Sequence, residues 1–555
     1  MQVYKTPLKE IKFLLNYFLN DEIKKSILKN SDYDFSDFEN VLEEAAKICE
    51  ETLLPLNQTG DLEKCVFDKG KVTTPKGFIE AYQNFINNGW QGIKVSEKYG
   101  GQNLPYFMNM LVDEMISSTN MSFGLYPGLT SNAIDAIEKN ASDYIKNIYL
   151  PKLTSGKWSG TMNLTEPQCG TDLGLSKTMA VLQKDDSYKI TGTKIFITCG
   201  EHDLTENIVH LVLARTPDAP KGIKGISLFL VPKIIPNDDG SLNEKNDLEC
   251  GSIEKKLGIN ASPTCVMHYN EAKGWLVGEL NKGMKAMFVM MNGARLFVGI
   301  QGLGISETAY QSALYYSKER IQGRSLQKIN NPEKLADPII VHPEIRKNLL
   351  RIKSLNEGLR GLTILTGIQF DIANSDNNKN KQFADDWVSL MTPILKSFSS
   401  DVGLESANTA LQIYGGHGYV QDHGIEQLLR DVRITPIYEG TNGIQALDLV
   451  GRKMNIDKGR LINNFFNFLD QYLDSISNNK NLEEFISLLS KSFEELKEST
   501  NFINLTNKDD LYNSTGPAVE YLKLFALVSL GYVWTKYVEI SYNNLEQDKD
   551  NFFVS

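Results

Sequence analysis

Residues 178–200 read TMAVLQKDDSYKITGTKIFITCG, and here the character of the chain changes. β-Branched and aromatic residues come in short runs, separated by the turn formers Asp185-Asp186-Ser187 and Thr191-Gly192-Thr193. NIVHLVLAR (207–215), GISLFLVP (225–232) and PTCVMHYN (263–270) repeat the pattern. Together they predict an antiparallel β domain over residues 159–279.

Outward from that stretch the period is helical. Upstream, FENVLEEAAKICEETLLPLNQ (38–58) sets Val41, Ala45, Ile48 and Leu53 on one stripe and is expected to end at Pro55. YGGQNLP (99–105) breaks the pattern, and a helix resumes over Tyr106–Ser118. Downstream, residues 284–320 are consistent with one helix of nearly forty residues. Residues 342–372 and 385–414 follow as two more long amphipathic helices. The polar linkers KINNPEKLADP (328–338) and ANSDNNKNKQ (373–382) separate them. Beyond Lys453, segments such as NNFFNFLDQYLDSI (463–476) read as a separate helical appendage. The fold class is therefore α+β, with an N-terminal helical domain (1–158), the β domain (159–279), a long-helix bundle (280–452) and a helical extension (453–555). It lacks the strand–helix alternation of a doubly wound sheet.

The 555 residues carry a formal net charge of -11, which argues against nucleic acid or an anionic membrane as the main partner. Six cysteines have no CxxC spacing, so neither a disulfide framework nor a structural zinc site is expected. The N-terminal 25 residues show helical spacing interrupted by charge, with no signal-peptide core. No uninterrupted apolar run long enough to span a bilayer occurs. These features point to the cytoplasm.

Four segments carry potential chemistry. TMNLTEPQCGTDLG (161–174) meets a turn that can aim backbone N–H groups and the Thr165 and Thr171 hydroxyls at one ligand. KIFITCG (194–200) could lay Phe196 on a flat ring beside the Thr198 hydroxyl, with Cys199 a bystander. QIYGGHGYV (412–420) lets backbone approach a phosphate or ribose, but it is neither a P-loop nor a Rossmann turn. His417 and His423 have no further ligands at a metal-binding spacing. In RDVRITPIYEGTNGIQ (430–445), Glu439 sits between apolar residues and a small turn. A carboxylate in apolar surroundings has a raised pKa, which suits a base acting on a weak carbon acid. Taken singly, the same residues read first as those of a glycine-rich turn, a half-buried strand and a surface glutamate.

In order, TMNLTEPQCGTD, KIFITCG, ERIQGR (319–324), QIYGGHGY and IYEGTN (437–442) resemble the motifs of the acyl-CoA dehydrogenase family. The resemblance covers residues 40 to 450 and the same helical–β–helical layout. It implies FAD, an acyl-CoA thioester substrate and Glu439 as the base. FAD contacts would come from Leu164, Thr165, Gly170, Thr171, Phe196, Thr198 and Thr441. Arg320, Gln322, Gln412 and Gly416 would reach the FAD of a partner subunit, in a homodimer or dimer of dimers. Arg295, Asn292, Met291, Tyr438 and Gly440 would line the substrate. Of Met284, Met287, Met290 and Met291, at least two are expected in the helix core rather than the acyl pocket.

Three positions depart from the family pattern: Phe196 replaces a common tryptophan, Asn292 an aspartate and Gly443 a glutamine. VYKTPLKEIKFLL (3–15), VHPEIRKNLLRIK (341–353) and the extension look like the branch that acts on 3-(methylthio)propionyl-CoA, which passes electrons to an electron-transferring flavoprotein. Short-, medium- and long-chain fatty acyl-CoA, an oxidase reaction and a silent CoA-thioester binding protein stay open as alternatives.

Overall fold

A computed structural model describes residues 2–19, 24, 33–327, 332–375, 379–506 and 511–544. The end of the expected N-terminal helix, parts of both polar linkers and the last residues of the extension lie outside the described residues. The chain forms two compact units. A mixed unit comprises Ile48–Leu104 and Thr119–Phe297, and a helical unit comprises Met1–Lys47, Pro105–Ser118 and Val298–Ser555.

Two helices pass from one unit to the other. The first, α1 (Tyr106–Asn140), breaks at Asn120 (φ -156°). The side chain of Asn120 accepts from the Phe123 N–H and so starts the second half afresh. The second, α2 (Gly283–Glu319), is the nearly forty-residue helix expected from the sequence. Among the described residues it alone is long and apolar enough to cross a membrane, and most of its apolar window is buried in the protein.

In the mixed unit seven strands form the main sheet: β1 (Trp158–Asn163), β2 (Met179–Leu182), β3 (Tyr188–Thr198), β4 (Asn207–Arg215), β5 (Ile226–Pro232), β6 (Leu248–Ile253) and β7 (Thr264–Val277). Their order is β6-β7-β3-β2-β4-β1, and β5 bridges β7 and β4 to close a ring. Pairing is antiparallel except where β1, and one bridge of β2, run parallel to β4. Side chains alternate along a strand, so β4 feeds two cores. Val209, Leu211 and Leu213 pack with Ile134, Trp158 and Met287, while Val212 and Ala214 pack with Ile190, Phe229 and Met267.

Two local expectations change. Thr191-Gly192-Thr193 is not a turn but the middle of β3, where Gly192 pairs with Tyr269. Glycine is needed there because a β-carbon would lie 2.5 Å from the Thr178 hydroxyl. Pro55 does not end the upstream helix. A π-helical turn (Ile48–Leu53) leads into a new helix, Leu54–Glu63, with Pro55 in its first turn, where a missing N–H costs nothing. The buried stripe is correspondingly Phe38, Leu42, Ala45, Cys49 and Leu53, with Val41 and Ile48 only half-buried.

The helical unit is built on α3 (Pro343–Asn374) and α4 (Lys381–Tyr414), with α5 (Asn442–Gly451) behind the turn that carries Glu439. The extension supplies α6 (Arg460–Ile476), α7 (Glu483–Thr506) and α8 (Ala518–Asn544). It belongs to the same compact unit. On α8, Trp534 donates to the Ser354 carbonyl and Tyr537 to that of Glu357, both on α3.

Candidate active site

In the mixed unit the loop after β1 is fastened from below by a buried ion pair. Lys194, on the inward side of β3, lies 2.8 Å from the Glu166 carboxylate and is fully buried. Glu166 also accepts from Ser176 and from the backbone N–H groups of Lys177 and Thr178. Burial alone would push this carboxyl up, but Lys194 and these donors hold it down at about 2. At the far end Arg215 grips the carbonyls of Gly174, Ser176 and Gly222. Within the loop, the Leu164 carbonyl accepts from Lys194 and that of Thr165 from the Ile195 N–H. The loop's offer to a ligand is therefore its N–H groups and hydroxyls, with Gly170 and Thr171 exposed.

Beside this loop Phe196 has φ 58°, a left-handed conformation that bulky residues seldom adopt, and its side chain is 59% exposed. Thr198 is half-buried, and its carbonyl accepts from the Thr161 hydroxyl. Cys199 is buried, which pushes its thiol up to about 12, as suits a bystander. On α2, Arg295 is buried and Asn292 exposed. Met287 and Met290 are core residues, and Met284 and Met291 pack against that core.

In the helical unit Glu439 is also left-handed, at φ 56°, and Gly440 follows at 86°. Tyr438, just before, donates its phenol to Gln301 on α2. Just after, the Gln445 amide donates to the carbonyls of Glu439 and Gly440, at 3.2 and 3.4 Å. Lys396 of α4 donates to the Gly440 carbonyl at 2.7 Å and to Asn442 Oδ1 at 2.9 Å. Thr441 caps α5 through Ile444 N–H. The same unit holds Arg320 and Gln322, after α2, and Gln412 and Gly416, at and just past the end of α4. Tyr316 of α2 stacks on Tyr414 of α4 at 4.0 Å and shares a hydrogen bond with His417. All four residues are exposed.

Glu166, Lys194, Gln301, Lys396 and Gln445 were not singled out from the sequence. One signal was available: Lys194 falls on the same side of its strand as the buried Tyr188 and Ile190.

Comparison with known proteins places this arrangement. The sequence matches the N-terminal, middle and C-terminal domains of acyl-CoA dehydrogenase at residues 36–157, 161–272 and 281–454. The chain belongs to the acyl-CoA dehydrogenase family. Residues 462–555 match a further model, Acetyl-CoA dehydrogenase C-terminal like. A 3-methylmercaptopropionyl-CoA dehydrogenase of Ruegeria pomeroyi is 45% identical over 83% of this chain and 78% of its own. A butyryl-CoA dehydrogenase of Syntrophomonas wolfei is 35% identical over 82% and 76%. A solved chain titled as the electron transferring flavoprotein of Acidaminococcus fermentans is 27% identical, with TM-score 0.63 over 77% of this chain and 100% of its own. This acyl-CoA dehydrogenase is an FAD-dependent enzyme acting on a CH–CH bond. The residues present fit that cofactor: an aromatic ring stands open on a strained backbone, beside a loop whose nearest carbonyls are already engaged.

Proposed function

We propose that this acyl-CoA dehydrogenase oxidises 3-(methylthio)propionyl-CoA to methylthioacryloyl-CoA, with Glu439 as the base. The observation that carries the base is its conformation. A glutamate held left-handed costs about 1–3 kcal/mol, and such strain persists where surrounding structure over-determines it. The methylthiopropionyl chain is supported by the 45% identical relative of that name.

Leu164, Thr165, Gly170, Thr171, Phe196, Thr198 and Thr441 would hold FAD. Arg320, Gln322, Gln412 and Gly416 would reach the FAD of a second copy in a homodimer. Arg295, Asn292, Met291, Tyr438 and Gly440 would contact the substrate, Tyr438 through its ring because its hydroxyl is engaged. Bound FAD supplies the acceptor for the hydride that leaves Cβ. The Glu439 carboxylate takes the α-proton, and its backbone N–H donates to the thioester oxygen as negative charge builds there. Exclusion of water by the acyl chain brings the two acidities closer. Electrons then pass to an electron-transferring flavoprotein, in the cytoplasm.

The test is anaerobic bleaching of the purified yellow protein by a panel of thioesters. 3-(Methylthio)propionyl-CoA is expected to give the highest kcat/KM. A higher value for butyryl-CoA, which the 35% identical relative's name would favour, sinks the substrate assignment. Glu439→Gln should keep FAD and lose about 10²- to 10⁴-fold in bleaching rate; bleaching at wild-type speed removes Glu439 as the base.

A further inference from the structure

Glu439 does not hold its own backbone conformation. A left-handed glutamate relaxes unless the structure around it holds it in place, whereas the glycine that follows adopts such a φ without strain. The upstream grip is neutral, from the Tyr438 phenol to the Gln301 amide. The downstream grip contains a charge. Lys396 is fully buried within α4, and its ammonium donates to the Gly440 carbonyl and to Asn442. Asn442 in turn donates to the Ser397 carbonyl and to Asp401. The lysine and the turn are thus stitched to one face of α4. Removing an ammonium from water costs several kcal/mol, and Gln445 already serves the same carbonyl without charge. A clamp alone therefore does not account for a lysine at this place.

We infer that Lys396 is a positioning residue for the base. Its grip on the Gly440 carbonyl keeps Glu439 left-handed, and its buried charge favours the ionised carboxylate that accepts the α-proton. Tyr438 faces Glu439 directly, and Asp401, which accepts from Asn442, faces Glu405 and Lys523 as well as Lys396. All of these stay in place when Lys396 alone is changed.

The role of Lys396 presupposes Glu439 as the base, so Glu439→Gln is measured beside the lysine variants. Lys396→Met should retain FAD yet reduce it about 10- to 100-fold more slowly, since small misplacements cost that much. Its substrate Kd should stay within threefold, and the acid limb of the reduction rate should move to higher pH. Lys396→Gln keeps a donor without the charge, so it should recover part of the rate while the limb stays raised. A Met variant with rate and limb unchanged overturns the role. Should that variant not fold, the Gln variant decides: an unmoved limb overturns, a raised one supports. If Glu439→Gln bleaches normally, the base itself is wrong. If it is silent while the lysine variants behave as wild type, only the role of Lys396 falls.

Discussion

At the scale of single residues the loop after β1 depends on one buried pair. Replacing Glu166 by Gln leaves the Lys194 ammonium buried without its counter-charge, a loss typically of about 3–5 kcal/mol. The pair also dictates how stability varies with pH. The Glu166 carboxyl is held at about 2, below its ordinary 4.5. Its contribution is complete above that ordinary value and is lost as pH falls from there toward 2. Calorimetry across this window should show the Tm of the Glu166→Gln variant lower at neutral pH and less dependent on acid than the wild type's. Equal slopes would mean that other carboxylates carry the acid response. This layer was half legible in the sequence. An inward lysine on a buried strand requires a partner, but strand periodicity cannot say that the partner stands 28 residues earlier in a loop. Glu439 was legible only through the company of the other motifs, because a left-handed φ leaves no mark on residue type.

Among elements, α2 and α4 cross at a pair of glycines. A β-carbon on Gly302 would meet the Ser399 carbonyl oxygen at 2.3 Å, and one on Gly403 the Gly302 carbonyl oxygen at 2.5 Å. Backbone cannot yield as a flexible side chain can, so Gly302→Ala should cost about 1–3 kcal/mol by forcing the helices apart. Gln301, which anchors Tyr438, is the next residue, so the same change should slow flavin reduction as well as lower Tm. Gly443→Ala is the control. It lies in the first turn of α5 with only Thr441 Oγ1 nearby, at 3.9 Å. That substitution should be neutral or stabilise by about 0.4–1 kcal/mol. If both alanines cost the same, close helix approach is not what selects Gly302. The long helices followed from period alone. The failures at Pro55 and at Thr191-Gly192-Thr193 share a cause: breakers mark places where backbone is special, and a helix restart or a crowded strand is as special as an end.

For the whole molecule the telling case is the extension. Periodicity shows that a helix buries one face but not against what, and residues 453–555 therefore read as standing apart. In the structure α8 lies on α3, where Arg360 is fully buried among Glu114, Glu307 and Glu357. Tyr537 of α8 donates to the carbonyl of that same Glu357. Phe465, Tyr521, Phe525 and Val533 are buried in the packing. Ending the chain at Gly451 would strip this cover from α3 and bring water to an ion cluster that survives only while it is dry and fully bonded. The shortened chain should be insoluble, or fold without the cooperative transition of the helical unit. A soluble, FAD-loaded product with the wild-type Tm would show the extension to be dispensable. Arg360→Met separates cover from charge. With α8 kept, the variant leaves the buried carboxylates of Glu114 and Glu307, beside half-buried Glu357, to share too few donors, so its Tm should fall steeply and should partly recover as acid neutralises them, the reverse of the response expected around Glu166.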